Sequence, residues 1–388
     1  MKVAMLLSCS SFEAFFGRVL KQTRESYLES YRNDWHWYYA RGLQENGLVP
    51  LIYIPSLYES GLYETPEGIS VRFLPLAKWY WVLDQKLPKQ LGRQTRFTGY
   101  VDERINAHAF MKSLSRGLAA DKIDLLYIQE YWSGRFDHIV HRSKIPVAGA
   151  NHGGVAERAY LGFKPAALQR AKVCYGQTQA ECRLIESFGG HAEVQPNGCD
   201  LTTFYPDPGV KREKTILTVA RLTNKQKRTS DLIHALTRLP EDWTLDIVGT
   251  GPDRDMLQAL AHKIGVAARV RFRGFVGRND VRGFLQTCGV FAMPSDNEAV
   301  AIAALEAMAC GAPVVLSRIP TFEELVTDGV NGCLTPVADV DALAAAITNA
   351  WANGPRLGRA AEATIRSQYD SRALYRRLAS SLRASAAT

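Results

Sequence analysis

Short apolar runs rich in branched side chains alternate with helical patterns along almost the whole chain, and no other feature narrows its folds so far. In the first half the runs are Val3–Leu7, Val49–Ile54, Val71–Leu74, Leu125–Ile128, Val147–Ala150 and Lys172–Tyr175. In the second they are Thr215–Val219, Leu245–Val248, Val270–Phe272, Val290–Met293 and Val314–Leu316. Helical segments separate them: Asp34–Glu45 with Gly47 as its stop, Gln179–Phe188 ended by Gly189 and Gly190, then Thr229–Arg238, Asp253–Ile264 and Asp280–Gln286. Parallel strands need a long crossover, and a helix is the usual way to supply it. The alternation therefore predicts an α/β fold of parallel sheets covered by helices.

At 388 residues the chain is too long for one hydrophobic core. The stretch Tyr205–Lys214, rich in proline, glycine and charge, reads as the junction between two doubly wound domains, 1–205 and 206–368. The remaining segment, 369–388, carries a helical stretch, Tyr369–Arg383, long enough to pack back on the first domain, and its end, Ala384–Thr388, is expected to fray. A ligand would lie in the cleft where the two domains face each other, at the carboxyl ends of the strands.

Composition excludes more than it selects. A 46% hydrophobic fraction with 22% charged residues is that of an ordinary globular protein. No apolar run reaches the roughly 18 residues that a membrane-spanning helix needs. Val3–Leu7 is too short for a signal-peptide core, and Leu6-Leu-Ser-Cys9 lacks the apolar lead-in of a lipoprotein box. Seven scattered cysteines without a C-x-x-C pair indicate neither a disulfide framework nor a zinc site, and reduced thiols in a cytoplasm are the simplest reading. The net charge of +8 suits an anionic partner. Much of the excess lies from Arg72 to Arg116, where Lys78, Lys86, Lys89, Arg93, Arg96, Arg104 and Lys112 interleave with Trp79, Tyr80, Trp81, Phe97 and Tyr100. Such a stretch is either a solvated face over a few core aromatics or a docking surface on the inner, anionic face of a membrane. Basic residues around aromatics also suit single-stranded nucleic acid, but that partner is not expected here.

The chemistry concentrates in Pro294–Val315, where Glu298 and Glu306 stand in a turn and helix between two strands. Glu298 falls near the helix start, where free N–H groups and the dipole favour an anion. Glu306 lies roughly 12 Å further along at the usual helical rise. A carboxylate, an anion-binding helix end and a second carboxylate suit a sugar, a diphosphate and a ribose in that order. Two ordinary surface glutamates on a buried helix would give the same spacing. A basic element follows the first strand of the second half, with Arg221 at the strand end and Lys227 ahead of the next helix. Cations there can neutralise a diphosphate leaving group, although a solvated basic loop reads alike. Gly249-Thr-Gly251-Pro252 follows the next strand as a tight turn.

These residues resemble the donor domain of retaining glycosyltransferase family 4, which has the two-domain GT-B fold. The matches run in order from Gln195-Pro-Asn-Gly-Cys-Asp200 through Ala220-Arg-Leu and Lys227, Val248–Pro252, Phe272-Arg-Gly-Phe275, Pro294-Ser295, Glu298-x7-Glu306, Ala307–Val315 and Asp328–Gly332. The resemblance implies transfer of a sugar from a nucleoside-diphosphate sugar to a glycan, lipid-linked saccharide or small molecule, with retained anomeric configuration. It implies no metal and no cofactor beyond the nucleotide sugar, with uridine favoured over guanosine by family frequency. Glu298 would bind donor-sugar hydroxyls and Glu306 the ribose. Arg221 and Lys227 would hold the diphosphate, aided by the amides of Val300 and Ala301. Gly274, Phe275 and Val276 would flank the base, Gly249 and Gly251 would line the donor site, and His152 would stand near the reacting sugar.

Some positions depart from the pattern. Ala299 and Ala301 stand where the family has glycines, Arg228 follows Lys227 where glycine is common, and Ser10–Gly17 replaces the glycine pair after the first strand. Asp253-Arg-Asp255 mimics a metal-binding D-x-D but reads as carboxylates at a helix start. A GT-B epimerase, a phosphorylase and a non-catalytic module that binds membrane or nucleic acid remain as alternatives.

Overall fold

The computed structural model describes residues 1–32, 34–86, 95–152, 159–298 and 302–387. The chain divides into two units: Met1–Pro196 with Ala373–Thr388, and Asn197–Arg372.

In the first unit the strands are β1 (Lys2–Leu6), β2 (Val49–Ser56), β3 (Gly61–Glu64), β4 (Ser70–Pro75), β5 (Leu125–Gln129), β6 (Val147–Ala150), β7 (Val173–Gly176) and β8 (Ala192–Val194). They form one sheet in the order β3-β4-β2-β1-β5-β6-β7-β8, parallel except where β3 runs against β4. Both faces are covered, as near-continuous apolar strands require. One face packs Tyr27, Trp37, Tyr39 and Phe73 against Tyr375, Leu378 and Leu382 of the last helix, Ser371–Ala387. The approach is close: a Cβ on Gly42 would lie 2.1 Å from the Tyr375 ring, so only glycine fits there. The other face carries Phe110 and Leu114 of the helix Arg96–Asp121.

Two expectations need correction here. The last helix continues through Ala384 to Ala387 instead of fraying, because Ala386 packs on the core and the Arg383 guanidinium donates to the Asn46 carbonyl. Arg72 is not part of a solvated basic face: its guanidinium pairs with the buried carboxylate of Asp121, which also accepts from the Tyr53 hydroxyl.

The second unit holds β9 (Glu213–Val219), β10 (Thr244–Val248), β11 (Val270–Gly274), β12 (Cys288–Met293), β13 (Val314–Ser317) and β14 (Cys333–Thr335). All pair in parallel, in the order β11-β10-β9-β12-β13-β14. This is the doubly wound arrangement in which the chain direction of crossover reverses between β9 and β12. The stretch Tyr205–Lys214 lies within this unit and is docked: Arg212 donates to the carbonyls of Leu285 and Cys288, each at 2.8 Å, and of Cys310 at 2.7 Å. All seven cysteines are free thiols. Among the described residues no helix is long and apolar enough to cross a membrane.

Candidate functional site

The carboxyl ends of β9 and β10 are locked together through backbone. Ala220 N–H donates to the Val248 carbonyl at 3.0 Å and Leu222 N–H to the Thr250 carbonyl at 2.9 Å. A Cβ at Gly249, whose φ is +127°, would lie 2.0 Å from the Ala220 carbonyl oxygen, and one at Gly251 2.3 Å from that of Leu222. Both glycines are therefore required by the contact between the two loops, before any ligand is considered. Gly249 N–H also donates to the Gly274 carbonyl at 2.8 Å, which ties the end of β11 to the same block. Beyond Gly274 (φ +71°), Phe275 is 72% exposed, whereas Val276 packs on the core.

Lys227 ends a single helical turn, Asn224–Lys227. Its first amide, that of Asn224, donates to the Asp253 carboxylate at 2.6 Å. Asp253 was expected to serve the start of its own helix; instead it caps this neighbouring turn across the loop contact. The next residue, Arg228, takes a left-handed conformation (φ +49°), the backbone state glycine would adopt most readily, and its guanidinium holds Asp231 at 2.7 Å. Arg221 is exposed at the β9 end and makes no ion pair among the described residues.

Across the point where strand order reverses, Lys227 meets Glu298. Lys227 Nζ donates to Glu298 Oε1 at 2.6 Å, and the glutamate side chain is only 5% exposed. The Ser295 hydroxyl donates to the same oxygen at 2.6 Å, and the Thr321 hydroxyl to the Glu298 carbonyl at 2.6 Å. The two loops are also stitched by backbone, Asp296 N–H donating to the Gln226 carbonyl at 2.8 Å. Ala299, Val300 and Ala301 lie outside the described residues.

Glu306 sits on the helix Ile302–Ala309, facing Arg278 at 3.5 Å. Burial pushes its carboxyl up to about 7; Arg278 opposes the shift and Asp200 reinforces it. Sequence reasoning singled out neither Arg278 nor Asp200. Asp200 belongs to the quoted segment before the presumed junction, and Arg278 opens the helix after the Phe275 turn, so their positions were the available signal. The Arg278 guanidinium also lies over the Phe204 ring at 5.0 Å.

His152 stands in the first unit. Its ring stacks on Trp35 with centroids 3.7 Å apart and an 18° tilt, and meets the edge of Tyr39 at 4.7 Å. Its amide donates to the Glu130 carboxylate at 3.0 Å. The glycines that follow it lie outside the described residues. Of the four residues expected to act at the reacting sugar, the structure thus joins Lys227 to Glu298, puts Arg221 on the same strand-end block, and describes His152 within the first unit.

Residues 206–367 match the glycosyl transferases group 1 family. The second unit belongs to that family. The chain is similar to a D-inositol 3-phosphate glycosyltransferase of Xylanimonas cellulosilytica, 28% identical over 320 residues, 73% of this chain and 74% of that one. Among solved structures it is similar to a sucrose-phosphate synthase from Thermosynechococcus elongatus, with a TM-score of 0.76 and 17% identity over 99% of this chain and 98% of that one. The Anabaena protein HepE in complex with UDP gives 0.71 and 18% over 99% and 100%. At these identities the likeness is one of fold, and the fold is GT-B.

Proposed function

We propose that this chain moves a sugar from a nucleoside-diphosphate sugar to an acceptor hydroxyl, with retained anomeric configuration and without a metal ion. The observation that carries the reading is the contact of Lys227 with Glu298 across the strand-order reversal, the place where doubly wound sheets receive ligands. In this reading Arg221 and Lys227 neutralise the diphosphate, Glu298 receives a hydroxyl of the donor sugar, and Glu306 the ribose. The bond from the anomeric carbon to the diphosphate oxygen breaks, and a bond to the acceptor oxygen forms on the same face. The acceptor proton leaves with the departing diphosphate. Cationic side chains directed at developing charge stabilise such a leaving group without metal. Gly274, Phe275 and Val276 flank the base; uridine is the favoured one, in keeping with the UDP held by HepE. The acceptor is a hydroxyl of a glycan, a lipid-linked saccharide or a small molecule, and in this reading His152 serves the reacting sugar.

The test is turnover of UDP- and GDP-sugars by the intact chain, followed by Lys227→Ala and Glu306→Ala. Both variants should lose donor turnover while melting as the parent does, and chelation of metal should leave the parent rate unchanged. Normal turnover in both variants would sink the assignment.

An anionic membrane is the proposed second partner. On the helix Lys78–Lys86 the side chains of Lys78, Trp79, Trp81 and Val82 are exposed, and the Trp81 indole N–H donates to the exposed Tyr58 hydroxyl at 3.2 Å. Aromatics beside a cation suit an interfacial position. Lys89 and Arg93 lie outside the described residues. Sedimentation with anionic vesicles, but not with neutral vesicles or oligonucleotides, is the expected result.

A further inference from the structure

Glu298 divides its two oxygens unequally. Oε1 accepts from both Lys227 Nζ and the Ser295 hydroxyl, each at 2.6 Å. Nothing among the described residues donates to Oε2. With both donors on one oxygen the carboxylate cannot turn without losing them, so Oε2 is left as a single acceptor.

The two donors differ in how firmly they are held. Lys227 is a charged head on a flexible stem with three N–H donors, and a diphosphate is a stronger attraction than one carboxylate oxygen. Ser295 is fully buried, and its carbonyl accepts from the buried Ser317 hydroxyl. Its hydroxyl is neutral, so a phosphate does not compete for it as for a cation. Thr321, in the first turn of the helix Pro320–Leu325, holds the Glu298 carbonyl at 2.6 Å. Three hydroxyls, from the ends of β12 and β13 and from the helix after β13, thus converge on the Glu298 loop.

We propose that Ser295 is a positioning residue that keeps the Glu298 carboxylate aimed once a donor's diphosphate draws Lys227 away, with Thr321 fixing the backbone beneath it. The inference rests on the donor-site reading above and deepens it. Lys227 acts as a movable clamp and Ser295 as a stationary one. The sugar-binding oxygen therefore stays in place while the cation changes partner.

The experiment compares affinities for UDP-glucose and UDP, with turnover, in the parent, Ser295→Ala, Thr321→Val and Thr321→Ser. The Ser295→Ala and Thr321→Val chains should keep UDP affinity and lose about 10- to 100-fold of the affinity excess of nucleotide sugar over nucleotide, the scale of one hydrogen bond to a charged group. Their turnover number should fall with it, and Thr321→Ser should restore both. Equal weakening of UDP and UDP-glucose, or an unchanged ratio, overturns the proposal. If Ser295→Ala does not fold, the Thr321 pair decides the outcome alone. A parent chain that binds no nucleotide sugar, GDP-sugars included, defeats the donor reading and this inference with it. That result is read before any variant is made, so the two failures are distinguishable.

Discussion

The two sheets share a winding pattern but finish their strands in opposite ways. After β1 the first unit turns aromatic side chains inward: Phe12 and Phe16 stack at 5.6 Å, and Phe12 meets Tyr27 and Phe73 edge-on. The carboxylate in that segment, Glu13, is spent on the chain itself. Its Oε1 accepts from the Ser56 hydroxyl and the Tyr58 amide, and its Oε2 from the Leu57 amide at 2.9 Å. Glu298, after β12 of the second unit, puts both its donors on one oxygen. A carboxylate with both oxygens occupied holds a loop. One with an oxygen to spare can hold something else.

The sharpest way to break this contrast is a pair of alanine variants. Glu298→Ala should lower donor turnover by about 10²- to 10³-fold, the range for losing one transition-state contact, an effect that outweighs the stability lost by stranding Lys227 and Ser295. Glu13→Ala should do the reverse, costing about 2 kcal/mol of stability for stranded loop amides at unchanged nucleotide affinity. Turnover and chemical denaturation of both proteins measure the pair, and exchanged phenotypes would defeat the comparison.

A smaller effect separates Glu306 from both. Burial raises its carboxyl from the ordinary 4.5 to about 7, so the folded protein binds the proton more tightly than the unfolded chain. Its contribution to stability is therefore full below the ordinary value and is lost as pH rises through about 7. Donor affinity should move the other way, rising across the same window as the ribose acceptor becomes ionised. Glu306→Gln should flatten both slopes, measured by melting and by nucleotide titration from acid to neutral pH.

The smallest effect concerns Arg228. Arg228→Gly relieves a left-handed backbone, worth about 1 kcal/mol, and loses the Asp231 pair, so the two should nearly cancel. Arg228→Ala loses the pair and keeps the strain, at a cost of about 1 kcal/mol. A large destabilisation by glycine would mean that the Asp231 pair outweighs the backbone strain.

Eleven strands were legible because each carries an apolar pattern bounded by turn residues, largely buried in all but β11. β3, β8 and β14 were not: three or four residues at or near a sheet edge, Gly61–Glu64, Ala192–Val194 and Cys333–Thr335, carry too little apolar pattern to stand out. At the site, glutamate spacing and the cations after β9 were visible, since each lies within one local motif. Their meeting was not, because Lys227 and Glu298 are 71 positions apart and only the sheet order joins them. Asp253 misled for the same reason: its partner belongs to another turn. Ser295 stands in the motif Pro294-Ser295, but its role, like that of Thr321, emerges only when the fold brings both hydroxyls to one loop. Tyr205–Lys214 has the composition of a junction, yet Arg212 anchors it to three carbonyls that no local pattern announces.

The last helix gives the chain an order of completion that differs from its order of synthesis. Tyr375, Leu378 and Leu382 belong to the core of the first unit, although the whole second unit precedes them in the chain. On a ribosome, where domains ordinarily finish from the amino end, the first sheet would wait for the final residues before one of its faces closed. In chain order the second unit interrupts the first. Cutting the chain after Pro196 would yield an unfinished domain, whereas joining Pro196 to the last helix by a short linker should yield a whole one.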